Sequence, residues 1–489
     1  MYKQRSVIGL LLGPLLFVLV LLLPLPGGMS QQGLAVAAVA VLMAVWWVTE
    51  AIPIPATALL PIALFPSLGV LSGSDVTRAY GNHLIYLFLG GFLIAVTMQK
   101  WNLHHRIALL TIRLVGVTPQ RIVLGFMLAT AFLSMWISNT ATTMMMVTIA
   151  MAVTGEMEPD SRPAGGGFRF GTVLMLGIGY AASIGGIATL IGTPPNAIFA
   201  GVVEKTYGVS ISFLDWMVFA LPLSLAMLLI AWFYLSRVLL PRAGSYSQGD
   251  IALISEHIAR LGPMSRQEKM VAAVFCTVAS LWILRGLYQP ASLSMVTDST
   301  IAIAGALLLF LLPVDLKKRE FLLDWKTAVG IPWDIIILFG GGFALAQGFD
   351  VSGLTRWLAE QLMVVQGLDI LLIIAAVALL VVFLTELTSN TATASLLLPV
   401  MGALATAIDM NPLGLMAAAV VAASFAFMLP VATPPNAIVF SSRCISIPQM
   451  AAAGLRLNLV GVLVITGFVY LLLPHAWGIR LDGPVAVIR

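Results

Sequence analysis

Small polar side chains gather at two points of an otherwise apolar chain. Ser134, Ser138 and Asn139 stand at the first, and Thr385, Ser389 and Asn390 at the second. Residues 138–142 read SNTAT, and residues 389–393 repeat it. Farther along, GTPPNAI at 192–198 is answered by ATPPNAI at 432–438. Paired prolines lack N–H donors and break a helix, so each copy frees carbonyls around Gly192 or Ala432. Thr193 and Thr433 suit N-caps, with Pro194 and Pro434 at the first helical position. Within SNTAT, Ser and Asn suit a turn, and Thr140 or Thr391 a helix cap. Ser134 and Ser138 are four apart, as are Thr385 and Ser389, so each pair is expected to share a helix face. With Asn196 and Asn436, each copy offers hard neutral oxygens of the kind that coordinate Na⁺. The new helix N-termini beside them carry partial positive charge and open N–H groups, which suit an anion.

Other residues are better read as structure. A lone SNT in a membrane helix usually glues helices together, and a lone Pro-Pro usually kinks one. Two pairs in the same order favour a binding role instead. The glycines at 90–91 and 340–342 read as close-packing points. His83, His104 and His105 lie near the ends of apolar runs and read as interfacial rather than metal-binding. Trp46 and Trp47 read as interfacial belt residues, and Glu50 as structural or gating. Cys276 and Cys444 lack any CxxC spacing, which gives neither a disulfide framework nor a metal site.

The elements that position these residues must lie in a membrane. Of 489 residues, 60% are hydrophobic and 9% charged, with mean hydropathy +1.02. A soluble domain carries roughly 25% charged residues. The net charge of +4 is too small and scattered for nucleic acid. A span needs ~20 apolar residues, and eleven are expected: 6–25, 34–49, 52–71, 83–99, 171–204, 216–240, 270–287, 298–313, 331–348, 413–441 and 455–474. The basic start reads as a retained first span rather than a signal peptide, whose apolar core runs only ~7–15 residues. Two longer stretches, 120–153 and 368–409, are split by SNTAT and read as re-entrant hairpins.

The expected organisation is a first span (1–33), a first repeat (34–240), a cytoplasmic linker with a short amphipathic helix (241–269), a second repeat (270–474) and a periplasmic tail (475–489). A third match, FLGGF at 88–92 with FGGGF at 339–343, precedes SNTAT in both copies. Five spans per half make the copies inverted. The connectors agree: residues 100–121 are basic and residues 349–369 mainly acidic. With the N-terminus in the cytoplasm, most of the 25 basic residues fall inside. Only Arg78, Lys205, Arg285, Arg356, Arg480 and Arg489 fall outside, as the positive-inside rule requires. Inverted repeats with broken helices are typical of secondary transporters. No Arg or Lys lies in the four motifs, so a multivalent anion would draw countercharge from co-bound cations. This favours cation–anion cotransport, although helix dipoles alone would permit plain anion exchange.

At these residues the chain resembles the divalent anion/sodium symporter family, over nearly its whole length. The resemblance implies an all-α polytopic membrane protein of eleven transmembrane helices and two re-entrant hairpins. It also implies a homodimer and an elevator-type movement in a bacterial inner membrane, with the C-terminus periplasmic. The implied cargo is a C4-dicarboxylate such as succinate, malate or fumarate with at least two Na⁺. By motif, Ser134, Ser138, Asn139 and Gly192 would form one Na⁺ site, and Thr385, Ser389, Asn390 and Ala432 the other. Asn139, Thr140, Asn390 and Thr391 would hold the carboxylates, with Thr193, Pro194, Thr433 and Pro434 lining the pocket. Relatives that carry sulfate or tricarboxylates, or exchange dicarboxylates without sodium, share these motifs. Both Asn-Thr pairs are intact, which favours two carboxylates over sulfate. A passive channel is disfavoured by the paired hairpins, and an enzyme by the absence of HExxH, GxSxG or a carboxylate pair.

Overall fold

The computed structural model describes residues 2–116, 118–157, 168–240, 262–289, 291–363 and 367–483. Helices dominate, and the described strands are one small antiparallel pair, Pro313–Asp315 with Glu320–Phe321. Among the described residues, eight helices are long and apolar enough to cross a membrane, including Gln4–Leu22, Gln31–Thr49, Arg266–Leu287 and Ile447–Leu471. Length alone therefore gives fewer than eleven. Part of the difference has a local cause: the expected span 52–71 divides into Ile54–Thr57 and Leu60–Ser67, each opening on a proline in its first turn, Pro55 and Pro61. The broken helices likewise divide into shorter pieces.

The halves repeat the same series of elements. His83–Lys100 leads to the amphipathic Leu103–Val115, then to a hairpin of Pro119–Ser134 and Asn139–Met157. Phe170–Gly186 and Pro194–Tyr207 follow as a broken helix, then Phe213–Phe233. The second half runs Trp333–Val351, Leu354–Leu362, a hairpin of Ile370–Thr385 and Asn390–Ala407, the broken pair Pro412–Ala422 and Pro434–Ser441, then Ile447–Leu471.

The glycine-rich motifs hold the halves together. A Cβ on Gly90 would lie 2.6 Å from the Ala302 backbone, and one on Gly341 2.5 Å from the Ala58 carbonyl. Each contact crosses from one half to the other, so the close-packing reading holds. Phe88 and Phe339, matching residues of the two motifs, meet edge to face with ring centroids 4.7 Å apart. Equivalent residues touch each other only near an axis of pseudo-symmetry. The two helices run antiparallel. Lys100, at the end of the first, pairs at 2.6 Å with Asp324, just before the second. His83, at the start of the first, and Gln347, near the end of the second, bond to the neighbouring residues Glu204 and Lys205. Lys100 and the Thr327 amide hold the Asp324 carboxyl down at about 2.

Three expectations change. Trp47 is fully buried and donates to the Ile54 carbonyl at 3.1 Å, so it belongs to the core, not to an interfacial belt. The expected linker 241–269 ends earlier, because the helix Arg266–Leu287 begins with a capping box of Ser265 and Glu268. Its proposed amphipathic helix falls largely on 241–261, outside the described residues. The expected tail begins as a packed helix, Leu473–Trp477, whose buried Trp477 donates to the Asp215 carbonyl at 2.8 Å.

Candidate functional site

Both SNTAT segments form hairpin tips, with the same local path. A helix ends at Ser134 or Thr385, four residues turn, and the next helix begins at Asn139 or Asn390. The helix therefore does not continue from Ser134 to Ser138 or from Thr385 to Ser389, and the shared-face expectation fails. The turn brings the residues together instead. Thr140 and Thr391 lie inside the second helices rather than capping them. Ser138 takes the capping role, accepting from the Ala141 amide at 3.3 Å, and Ser389 occupies the N-cap position without a side-chain bond. At the helix breaks Thr193 and Thr433 are N-caps, as the prolines require, and Thr433 accepts from the Asn436 amide at 3.2 Å.

One cavity of 1220 Å³ collects these segments. Ser138, Asn139 and Thr140 reach it from one tip, and Ser389, Asn390 and Thr391 from the other. Gly192, Thr193 and Pro194 line it from the first break, and Ala432, Thr433 and Pro434 from the second. Four helices thus begin at the cavity, at Asn139, Pro194, Asn390 and Pro434. Each N-terminus carries roughly half a positive charge. An anion is favoured there although no Lys or Arg occurs in the motifs.

Ser134 and Thr385 stand one layer behind the wall, fully buried. Ser134 Oγ lies 2.5 Å from Asn139 Oδ1 and donates to the Ala182 carbonyl at 2.8 Å. Thr385 Oγ1 lies 2.8 Å from Asn390 Oδ1 and donates to the Ala423 carbonyl at 2.7 Å. The end of the Asn139 amide facing Ser134 is also 3.3 Å from the Ala182 oxygen and 3.2 Å from the Gly192 oxygen. With the amide turned so that its nitrogen takes this place, Asn139 donates to all three oxygens, of Ser134, Ala182 and Gly192. Asn196 and Asn436 do not line the cavity. Each is fully buried and donates its amide to carbonyls of its own break, Asn196 to Thr189 at 2.7 Å and Asn436 to Ala426 and Leu429 at 3.0 Å each. They shape the loops rather than face cargo.

Two features escaped the motif reading. Arg5, Glu50, Gln99, His104 and Asp334 line the same cavity at one end of the molecule. Arg5 donates to the Leu387 carbonyl in the second tip at 2.8 Å, and also to the Val48 carbonyl. Nothing in the N-terminal sequence announces that contact. Glu386 is buried in the second tip, bonded to backbone amides of residues 427–429. Its position beside a motif was visible; its partners, some forty residues away, were not.

A profile described as the sodium:sulfate symporter transmembrane region matches residues 4–481. The chain belongs to this family, the divalent anion/sodium symporters. It is 45% identical over 491 residues to a sodium-dependent dicarboxylate transporter of Staphylococcus saprophyticus, covering 99% of this chain and 94% of that protein. The protein of the same name from Staphylococcus aureus matches equally, at 45% identity and the same coverage. Members of the family are transporters, not enzymes. Two solved structures share the fold. The YdaH transporter of Alcanivorax borkumensis aligns with a TM-score of 0.54 at 13% identity, over 97% of this chain and 98% of that one. MtrF of Neisseria gonorrhoeae, whose structure is described as illuminating a class of antimetabolite efflux pumps, aligns with a TM-score of 0.56 at 12% identity over 94% of both chains.

Proposed function

We propose that this protein imports C4-dicarboxylates such as succinate, malate or fumarate across a bacterial inner membrane, driven by co-transported Na⁺. The observation that carries the reading is the meeting of four helix N-termini from two related halves at one cavity. A two-headed anion matches that pseudo-symmetry. Asn139 and Thr140 bind one carboxylate, and Asn390 and Thr391 the other. Ser134, Ser138, Asn139 and Gly192 hold one Na⁺, and Thr385, Ser389, Asn390 and Ala432 hold a second. Asn139 and Asn390 serve both cargoes, each amide offering oxygen to the ion and nitrogen to a carboxylate. Shared ligands of this kind make ion and anion binding cooperative, because each neutralises and orders the other's site. The names of the relatives support both sodium and a dicarboxylate.

With the N-terminus cytoplasmic, the cavity opens inward at Arg5, Glu50 and Gln99, and the hairpins are re-entrant within eleven crossings. From the family resemblance we also infer a homodimer and an elevator-type movement of hairpins and broken helices past the remaining helices.

Succinate uptake into proteoliposomes tests the reading. Uptake should require an inward Na⁺ gradient, and equal uptake with choline in place of Na⁺ would leave a sodium-independent exchanger. Asn139→Ala and Asn390→Ala should each abolish uptake with normal expression. Competition by sulfate or citrate in preference to succinate would move the chain to a sulfate or tricarboxylate branch.

A further inference from the structure

We propose that Glu386 is a positioning residue for the second ion site: it fixes the loop of the second broken helix and places negative charge beside that site, making it the tighter of the two for Na⁺. The inference rests on the ion sites proposed above.

Glu386 follows Thr385 directly and is 3% exposed. The helix before it, Ile370–Thr385, is almost wholly aliphatic. An ionisable group in such a place is costly and calls for a function. Its Oε1 accepts from the Phe427 amide at 2.7 Å, the Met428 amide at 2.8 Å and Asn458 Nδ2 at 2.8 Å. Its Oε2 accepts from the Leu429 amide at 3.0 Å. Among the described residues no Lys, Arg or His forms an ion pair with it.

The loop so held runs between Pro412–Ala422 and Pro434–Ser441. Its amides at 427–429 point to the carboxylate, and its carbonyls at Ala426 and Leu429 are taken by Asn436 from another direction. The two ends of the same loop belong to the ion site. Ala423 gives its carbonyl to Thr385, and Ala432 lines the cavity. Fixing 427–429 therefore fixes the spacing between those oxygens.

The first half shows that a neutral arrangement can hold such a loop. Met135 stands where the second half has Glu386. There the Thr189 hydroxyl donates to the Met135 carbonyl at 2.5 Å, and Asn196 holds the break. Shape alone thus needs no carboxylate. The added charge is explained by a cation within electrostatic range, where an effective dielectric near 20 still gives on the order of tenfold in affinity across a distance of about 12 Å.

The test uses the purified full-length protein, with Na⁺ alone as the probe. Thermal stabilisation and hydrogen–deuterium exchange of 424–433 and 185–193 are followed against Na⁺ concentration, and succinate KM at saturating Na⁺ is measured in proteoliposomes. In Glu386→Gln the Na⁺ midpoint should rise on the order of tenfold, while 185–193 keeps the midpoint of the native protein and KM shifts less than about twofold. Glu386→Asp should restore much of the midpoint. Asn458→Ala, which removes one bond and keeps the charge, should leave it within about twofold; it also carries the test if Glu386→Gln does not fold. A native midpoint in Glu386→Gln, or an equal rise in Asn458→Ala, overturns the inference and leaves the ion-coupled reading standing. A native protein that shows no response to Na⁺ overturns both.

Discussion

Gly192 and Ala432 occupy matching places in the two halves, yet only one of them tolerates a side chain. A Cβ on Gly192 would run into the Gly186 carbonyl oxygen, which is backbone and cannot swing aside. Forcing the two apart disturbs the turn that presents oxygens to Asn139, and overpacking of this sort costs ~1–3 kcal/mol. Gly192→Ala should therefore lower Na⁺-driven succinate uptake at least about tenfold per reconstituted transporter, whereas Ala432→Gly should stay within about twofold. Much of the cavity lining was legible at this scale, because SNTAT and TPPNAI are each spelled twice and all four copies reach one cavity. The local geometry was not. A spacing of four implies a shared face only while a helix continues, and nothing in the letters says that it stops at Ser134 and Thr385. Trp47 misled for a related reason: its ring lies beside an apolar run, but its N–H finds the Ile54 carbonyl inside the protein.

A second cavity, of 210 Å³, lies at the opposite end of the molecule, among the helices that begin at His83, Pro194 and Asp298. His83 Nε2 meets Glu204 Oε2 at 2.8 Å, and Lys205 donates to Gln347 at 2.9 Å. The Phe213 amide donates to Asp298, which Arg285 pairs at 2.9 Å. These bonds join the broken helix and its following loop to the helices that begin at His83, Trp333 and Asp298. In the proposed movement they must open for cargo to enter from that side. Ala200 is buried against the 210 Å³ cavity there. In a background with Cys276 and Cys444 replaced, Ala200→Cys should react slowly with an impermeant maleimide. Adding Glu204→Ala should speed labelling several-fold, as loss of an approximately 1 kcal/mol bond predicts. Unchanged labelling would show that the pair does not close this end. The order of elements was legible here, since the connectors changed charge between the halves. The pairing was not, because His83 and Glu204 lie far apart in sequence.

At the scale of the molecule, the large cavity opens at one end and closed packing occupies the other. Gln99→Cys, at the open end, should be labelled from the cytoplasmic face of oriented vesicles and not from the opposite face. Succinate with Na⁺ should slow that reaction if cargo binding draws the tips away from this arrangement. Labelling from the periplasmic face alone would turn the protein over in the membrane, with the large cavity open outward. The helix boundaries were the least legible feature at this scale. Hydropathy registers apolar length, whereas prolines decide where that length stops being one helix.

The first helix, Tyr2–Leu22, stands outside the repeat and has no counterpart in the second half. Two halves identical but for their inversion would favour neither side of the membrane. Arg5, on that helix, donates to the Leu387 carbonyl in the second tip, so the movement proposed above would have to break this bond. A bond of about 1 kcal/mol multiplies the population of the state that contains it roughly fivefold. In the movement proposed above, the N-terminal arginine would act as a thumb on the scale for where the empty carrier waits between cycles.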